Sequence, residues 1–317
     1  MMTLLLFLSG FYVGWNIGAN DTANCVGTSV GSGLLSYRGA ILLVSLFVII
    51  GGLLQGSEVA ATVGKGVVER ELPQLAVLTG LISAGVFVTL ATALKLPVST
   101  TQAIVGAVAG IGLATGSPVN GKKLLEIGQI WVLNPFLMAL LSYAIYRLVS
   151  SVMWRVRYVG LWDRLMGILV FASVAYMAFS LGANHVGTTI GPLVNLGYSG
   201  KWLITLGGVA IAIGVLTYSR GVTETLSSSI TILDPLSAFS AQIAAAVGVH
   251  LFSILGIPVS TSQAVVGAVV GVGIVKGIRA VSRRRVLEIV VGWVATPTSA
   301  GLLAFGLYKL AVLFAGG

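Results

Sequence analysis

Residues 96–112 read LPVSTTQAIVGAVAGIG, and residues 257–273 read IPVSTSQAVVGAVVGVG. Two segments this long and this unusual in composition do not arise from generic apolar sequence, so we infer an internal duplication. Near its start each copy has a proline and a valine, followed by three residues with hydroxyl groups and a glutamine, and it then continues as an apolar, glycine-rich run. The sequence therefore predicts two copies of one structural unit, each with a polar beginning.

Three further pairs of segments repeat in the same order, so that the offsets of all four pairs lie between 161 and 164 residues. IGANDTANCVG (17–27) corresponds to LGANHVGTTIG (181–191), KLLEIGQIWVLNP (123–135) to RVLEIVVGWVATP (285–297), and VAATVGKG (59–66) more weakly to VTETLSSS (222–229). These pairs divide the chain into a first repeat, residues 1–150, and a second repeat, residues 151–317.

The composition indicates a membrane protein. The 317 residues are 56% hydrophobic and 9% charged, with a mean hydropathy of +1.02, whereas a soluble domain is about 25% charged. Apolar runs that are candidate membrane helices recur along the chain, at residues 40–54, 75–94, 136–146, 203–218 and 302–315. We predict an all-α, polytopic membrane protein whose two repeats form one integral membrane domain in the plasma membrane.

The net charge of +9 comes from basic residues that lie between the apolar runs. Half of the 18 basic residues lie in two connectors: Arg147, Arg155, Arg157 and Arg164 in one, and Lys276, Arg279, Arg283, Arg284 and Arg285 in the other. This distribution indicates cytoplasmic loops and not a nucleic-acid surface. The segment equivalent to the second connector has only Lys122 and Lys123, so equivalent loops are expected on opposite sides of the membrane. That arrangement predicts an inverted repeat, with both termini outside.

The hydroxyl groups after each duplicated proline predict a site for an oxyanion. A proline suits the first turn of a helix, and the free N–H groups and positive dipole of a helix N-terminus attract anions. The hydroxyl groups that would add donors are those of Ser99, Thr100 and Thr101 in the first repeat and of Ser260, Thr261 and Ser262 in the second. Such groups also bond across packed membrane helices, but their duplicated context favours one anion held from both sides.

The segment GANDTAN (18–24) places an acid within a membrane helix, where a charge costs about 2.5–3.5 kcal/mol on insertion scales. Two explanations are open. In the first, nearby glycines break the helix, and its unwound carbonyls join Asn20, Asp21 and Asn24 as ligands of a coupling cation such as Na+. In the second, Asp21 accepts a hydrogen bond from a substrate that still carries a proton. Phosphate has such a proton at neutral pH and sulfate has none, so an ionised Asp21 favours phosphate.

The chain resembles the inorganic phosphate transporter family of secondary transporters. The resemblance rests on GANDTANCVGTSVGSG (18–33), PVSTTQAIVGAV (97–108), GANHVGTTIGPL (182–193), LDPLSAFSAQ (233–242) and PVSTSQAVVGAV (258–269). It implies a symporter of phosphate with Na+ or H+, with broken helices and helical hairpins that meet at the bilayer midplane, in a membrane-embedded homodimer. It also implies that Asp21, Asn24 and Asn184 hold the coupling ion, with Gln102 and Gln263 lining the site.

This chain departs from the family pattern at two positions of the second repeat. His185 stands where the family usually has a second Asp, and Thr188 where it usually has Asn. His185 could be a neutral part of the scaffold, a proton carrier or a further donor to the anion.

The sequence has no nucleotide-binding loop, metal-cluster spacing or Ser-His-Asp constellation, so we predict a transporter without a cofactor and not an enzyme. Two other functions stay open: a permease for sulfate or another tetrahedral oxyanion, and a passive anion channel or intramembrane receptor.

Overall fold

The computed structural model describes residues 1–31, 33, 35–96, 98–229, 234–276 and 283–315. Within these ranges the regular structure is helical, apart from one isolated bridge between Val68 and Val119. Eight of the helices described are long and apolar enough to cross a membrane. The prediction of an all-α, polytopic membrane protein is confirmed.

The first repeat contains five helices and a short π-helical turn. They are α1 (Met2–Gly31), α2 (Tyr37–Ala61) with the π turn (Thr62–Gly66), α3 (Gln74–Ala93), α4 (Thr100–Thr115) and α5 (Gly121–Met153). Helix α5 ends three residues beyond the predicted boundary at residue 150. The structural junction between the repeats is therefore the connector of residues 154–158.

The second repeat has the same elements in the same order. They are α6 (Val159–Asn195), α7 (Lys201–Tyr218), α8 (Arg220–Ser229), α9 (Pro235–Ile254), α10 (Thr261–Lys276) and α11 (Arg283–Ala315). Helix α8 takes the place of the π turn. The corresponding pairs are thus α1 with α6, α2 with α7, α3 with α9, α4 with α10 and α5 with α11.

The two repeats run in opposite directions, as their equivalent first helices show. A Cβ atom built on Gly10 of α1 would lie 3.0 Å from Leu193 of α6, and one built on Gly14 would lie 3.1 Å from Thr189. Since the residue numbers of the contacts rise along α1 while those on α6 fall, the two helices are antiparallel. The predicted inverted topology is confirmed.

Helices α3 and α4 form one hairpin, and α9 and α10 form the other. In the first hairpin, Gly80 of α3 contacts Ile111 of α4, and nearer the tip Val88 clusters with Ala103. In the second hairpin the predicted position of the proline is wrong. Pro258 precedes the helix instead of lying in its first turn, because Ser260 is the N-terminal cap and α10 begins at Thr261. The equivalent Pro97 lies outside the described residues.

Each hairpin returns to the face from which it enters. The helices that carry the chain across the membrane are therefore α1, α2 and α5 in the first repeat and their equivalents α6, α7 and α11 in the second. An odd number of crossings places the connector of residues 154–158 on the face opposite the N-terminus. The first basic connector and the beginning of α11 therefore share one face, and the beginning of α1 and the end of α11 lie on the other. That this second face is outside the cell stays a prediction. Part of the second basic connector, residues 277–282, lies outside the described residues.

Glycine contacts join each repeat to the other. A Cβ atom on Gly18 of α1 would lie 1.9 Å from the carbonyl oxygen of Ile211 in α7, and one on Gly214 of α7 would lie 1.9 Å from that of Trp15. Similar contacts join α2 to α6, α4 to α11 and α5 to α10, at Gly51, Gly182, Gly106, Gly110, Gly267 and Gly271. Membrane helices approach this closely only where a side chain is absent. These contacts fix the position of one repeat against the other.

We predict that Gly18→Ala destabilises the protein by about 1–3 kcal/mol, because the added methyl group overlaps a backbone carbonyl that cannot move without its helix. Gly167→Ala in α6 is the matched control, since a Cβ atom there meets nothing within 4 Å. Thermal unfolding of the detergent-solubilised protein measures the difference. Equal unfolding midpoints for the two variants would contradict the role given to the contact between α1 and α7.

Candidate functional site

The GANDTAN segment lies inside an unbroken helix. Helix α1 runs from Met2 to Gly31, so the predicted break with unwound carbonyls around Asp21 is wrong, because those carbonyls belong to a continuous helix. The breaks in the helical structure lie instead between α3 and α4 and between α9 and α10, at the duplicated PVST segments.

The centre of the site lies at similar distances from the C-terminal ends of α1 and α6. Asp21 precedes the end of α1 at Gly31 by ten residues, and His185 precedes the end of α6 at Asn195 by ten residues. At 1.5 Å per residue each distance is about 15 Å. Because α1 and α6 are antiparallel, their ends lie on opposite faces, about 30 Å apart. This span equals the thickness of the hydrocarbon core, so the hairpin tips meet at the midplane.

Asp21 is fully buried and is surrounded by hydrogen-bond donors. Its Oδ1 accepts from Asn24 Nδ2 at 2.8 Å and from Thr261 Oγ1 at 3.4 Å. Its Oδ2 accepts from the hydroxyl of Thr100 and lies 3.2 Å from His185 Nε2. Four donors, one each from α1, α4, α6 and α10, thus lie on one carboxylate. They explain how the chain accommodates an acid at this depth.

Thr100 and Thr261 are equivalent residues, and each is the first residue of its helix, α4 or α10. The preceding serines cap these helices: Ser99 Oγ accepts from Gln102 N at 3.3 Å, and Ser260 Oγ accepts from Gln263 N at 3.2 Å. The carboxylate therefore lies between two helix N-termini that enter from opposite faces. Both helix dipoles favour negative charge at this point.

Thr101 and Ser262 tie the two hairpin tips together. Thr101 Oγ1 donates to the carbonyl of Val259 at 3.0 Å, and Ser262 Oγ donates to the carbonyl of Val98 at 3.2 Å. Since each bond runs from one repeat to the other, the pair forms a symmetrical cross-link. The sequence predicted both hydroxyls as anion donors, and in the structure their protons serve the neighbouring hairpin.

Asn20 and Asn184 hold the hairpin tips against α1 and α6. Asn20 Oδ1 accepts from Val98 N at 3.2 Å, and its amide donates to the carbonyl of Leu96 at 3.1 Å. Asn184 Oδ1 accepts from Val259 N at 3.3 Å, and its amide donates to the carbonyl of Val259 at 2.6 Å. The two asparagines, both predicted as cation ligands, thus make one equivalent contact, to the N–H of Val98 or Val259, while their amides donate to carbonyls at different positions of the two tips.

Buried amide oxygens near the tips are candidates for binding a cation. Among the described residues, three buried amide oxygens near the site have no hydrogen-bond partner: Gln102 Oε1, Gln263 Oε1 and Asn134 Oδ1 on α5. Unsatisfied buried carbonyl oxygens are rare and costly in folded proteins, and a small hard cation is the ligand that such oxygens prefer. Asn134 also donates to the carbonyl of Ser260 at 3.2 Å, which places it beside the second hairpin tip.

His185, the residue equivalent to Asp21, reaches across the repeat axis. Its Nε2 lies 3.2 Å from Asp21 Oδ2 and 3.3 Å from Thr101 Oγ1, while its Nδ1 faces the amide of Asn184 at 3.3 Å. Since an amide N–H donates, we assign Nδ1 as the acceptor and the ring proton to Nε2, toward Asp21. Thr188, equivalent to Asn24, only bonds the carbonyl of His185 in its own helix. The site is therefore symmetrical at the hairpin tips but not on α1 and α6.

Sequence reasoning missed two buried amides near the site. Gln242 of α9 donates to the carbonyl of Cys25 at 2.7 Å and accepts from Thr28, and Asn134 contacts the second hairpin as described above. Both lie in segments with recognisable motifs, LDPLSAFSAQ and KLLEIGQIWVLNP. A buried amide in an apolar helix was the signal that could have identified them.

A family model described as the phosphate transporter family matches this chain twice, over residues 17–163 and 155–304. A proposed phosphate permease of Pyrococcus furiosus is 30% identical, over 99% of this chain and 97% of the relative. One of Methanocaldococcus jannaschii is 31% identical, over 96% and 97% respectively. A solved structure described as the sodium-dependent phosphate transporter superposes with a TM-score of 0.88 at 27% identity, over 98% of this chain and 99% of the other.

We predict that Asn24→Ala costs about 1–3 kcal/mol of stability, because it removes the amide that bonds Asp21, Thr261 and Ser262 together. Thr188→Ala at the equivalent position removes only a bond within α6 and serves as the control. Thermal unfolding of the two purified variants gives the comparison. A Thr188→Ala variant that is as unstable as Asn24→Ala would show that the amide of Asn24 does not hold the site together.

Proposed function

This chain belongs to the phosphate transporter family, and we propose that it imports inorganic phosphate together with Na+ by alternating access. Its long apolar helices make it a multi-pass membrane protein, and its family makes it a transporter and not an enzyme. The observation that carries the proposal is the meeting of two capped helix N-termini, from opposite faces, on one buried point.

We assign the anion position to the space between the starts of α4 and α10. Thr100 and Thr261 would donate their hydroxyl protons to phosphate oxygens. The hydroxyl protons of Ser99 and Ser260 are also available, because their oxygens, and not their protons, serve as helix caps. Thr101 and Ser262 would bind less directly, by holding the two tips at a fixed separation.

Phosphate fits this position better than sulfate does. At neutral pH phosphate retains at least one proton, and Asp21 offers an acceptor for it beside the two helix starts. Sulfate has no proton to donate and would meet the carboxylate only as a like charge. The same reasoning makes Asp21 part of the anion site as well as of the cation site.

The cation assignment has two supports. The related solved structure is described as sodium-dependent, and the buried oxygens of Gln102 and Gln263 lack partners among the described residues. We propose that Na+ takes Asp21 together with these amide oxygens, with Asn24 beside them. Asn20 and Asn184, which already hold the hairpin backbones, would position the tips around the ion.

Alternating access is supported by the unequal surroundings of two equivalent hairpin tips. Leu96 in the first tip is 51% exposed, whereas its equivalent Ile257 is 7% exposed. The second tip packs against the end of α2, where a Cβ atom on Gly256 would lie 3.3 Å from the carbonyl of Glu58. We propose that transport exchanges these two environments, so that each tip in turn is covered.

By the positive-inside rule, the basic connector of residues 147–164 supports a cytoplasmic position for its face, and we propose the plasma membrane as the location. The homodimer and the contact with membrane lipid that the resemblance implies stay predictions.

Purified protein in liposomes should accumulate labelled phosphate when an inward Na+ gradient is imposed, and not when choline replaces Na+. Asp21→Asn should abolish this accumulation, because the variant keeps the shape of the side chain but loses the charge that holds the cation. Asp163→Asn, at an exposed acid on α6, is the control and should transport normally.

Three outcomes would contradict the proposal. Phosphate flux without any ion gradient would indicate a channel, and uptake driven by a pH gradient alone would replace Na+ with H+. Equal competition by excess sulfate would indicate a general oxyanion permease.

A further inference from the structure

The donors on Asp21 fill every acceptor position that the carboxylate offers. A carboxylate has about four lone-pair sites, and four donors from Asn24, Thr100, His185 and Thr261 lie on its two oxygens. Two of them, Thr100 and Thr261, come from the hairpin tips. The other two come from the long helices α1 and α6.

The two hairpin donors are the same hydroxyls that the proposed function gives to phosphate. A hydroxyl group has one proton, so Thr100 cannot donate to Asp21 and to a phosphate oxygen at once, and neither can Thr261. In addition, an ionised carboxylate in this position repels a phosphate anion in a buried site, so the phosphate proton can bond Asp21 only after the carboxylate has turned away from the two hydroxyls. Asp21 and phosphate therefore compete for one position.

We propose that Asp21 is a tethered competitor of phosphate: its carboxylate occupies the anion position between α4 and α10 until a cation draws it away. This inference rests on the proposed function and adds the order of binding to it. A Na+ ion that takes the carboxylate oxygens as ligands would release the hydroxyls of Thr100 and Thr261. Phosphate can then accept both hydroxyls, and the charge of the cation offsets the remaining negative charge of Asp21.

The two remaining donors indicate where the carboxylate goes. Asn24 lies one turn away on the same helix, and His185 approaches from α6 with its proton on Nε2. Both also contact the hairpins, but both lie on long helices, so they can keep their bonds to Asp21 when the hydroxyls of Thr100 and Thr261 leave. The carboxylate would thus turn from the hairpin tips toward α6 and the cation, and phosphate would take the position that it vacates.

This arrangement explains how binding of the cation is coupled to binding of phosphate, although their ligands are not all in direct contact. The cation gains its carboxylate ligand only by breaking bonds to the hairpins, and phosphate gains its donors only after those bonds are broken. Each solute therefore raises the affinity for the other by the same factor. Without such competition, the helix N-termini would bind phosphate whether or not a cation was present.

Equilibrium binding of labelled phosphate to the purified protein tests the proposal. We expect the phosphate Kd of the native protein to be at least tenfold lower in Na+ than in choline. In Asp21→Asn the Kd in choline should fall to within about threefold of the native value in Na+, and the response to Na+ should disappear. Asp163→Asn should behave like the native protein.

Two results would overturn the competition while leaving phosphate transport intact. One is equal phosphate affinity of the native protein in Na+ and choline. The other is a folded Asp21→Asn variant that binds phosphate no better in choline than the native protein does. A native protein that binds no phosphate even in Na+ would instead contradict the proposed function itself.

If Asp21→Asn does not fold, a fluorescence measurement on the protein with its native Asp21 tests the proposal instead. Trp131 donates its indole N–H to the carbonyl of Pro258 at 3.0 Å, so its fluorescence reports on the second hairpin tip. Na+ alone should change this fluorescence, phosphate alone should not, and Trp131→Phe should lose the change. The same signal from phosphate in choline as in Na+ would overturn the proposal.

Discussion

The structure depends on one buried carboxylate held between two helix N-termini that enter the membrane from opposite faces. An isolated charge at this depth is unstable, but Asp21 receives bonds from both hairpin tips and from two long helices. The aligned dipoles of α4 and α10 stabilise the same negative charge. The position that stabilises this carboxylate is also the position that suits a small oxyanion, so the fold and the proposed transport rest on the same electrostatics.

Inversion of the repeat is what allows the two helix starts to meet. If the repeats were parallel, both hairpins would enter from one face and their dipoles would point the same way. Glycine contacts such as that of Gly18 with Ile211 keep the repeats closely packed, and Asn20 and Asn184 hold the hairpin backbones at matching heights. The remaining asymmetry lies in the substituted positions, His185 and Thr188, and in the unequal exposure of the tips.

Duplication and hydropathy predicted the fold because both can be read directly from the sequence. The hydroxyls of Thr100 and Thr261 could be placed at helix starts because each follows a proline and precedes an apolar run. The contact of His185 with Asp21 could not, since it arises where antiparallel helices cross. The positions of asparagines in the sequence also do not distinguish a cation ligand from a side chain that hydrogen-bonds the backbone. Asn20 is of the second kind, because it bonds the backbone of the first hairpin tip. The continuity of α1 was mispredicted because glycine permits a break but does not require one.

A structure determined experimentally with phosphate and Na+ bound would test the central claim most directly. The account predicts a tetrahedral anion between Thr100 and Thr261, with both hydroxyls on its oxygens and the Asp21 carboxylate turned toward His185 and the cation. Phosphate bound elsewhere, with both hydroxyls still on Asp21, would contradict it.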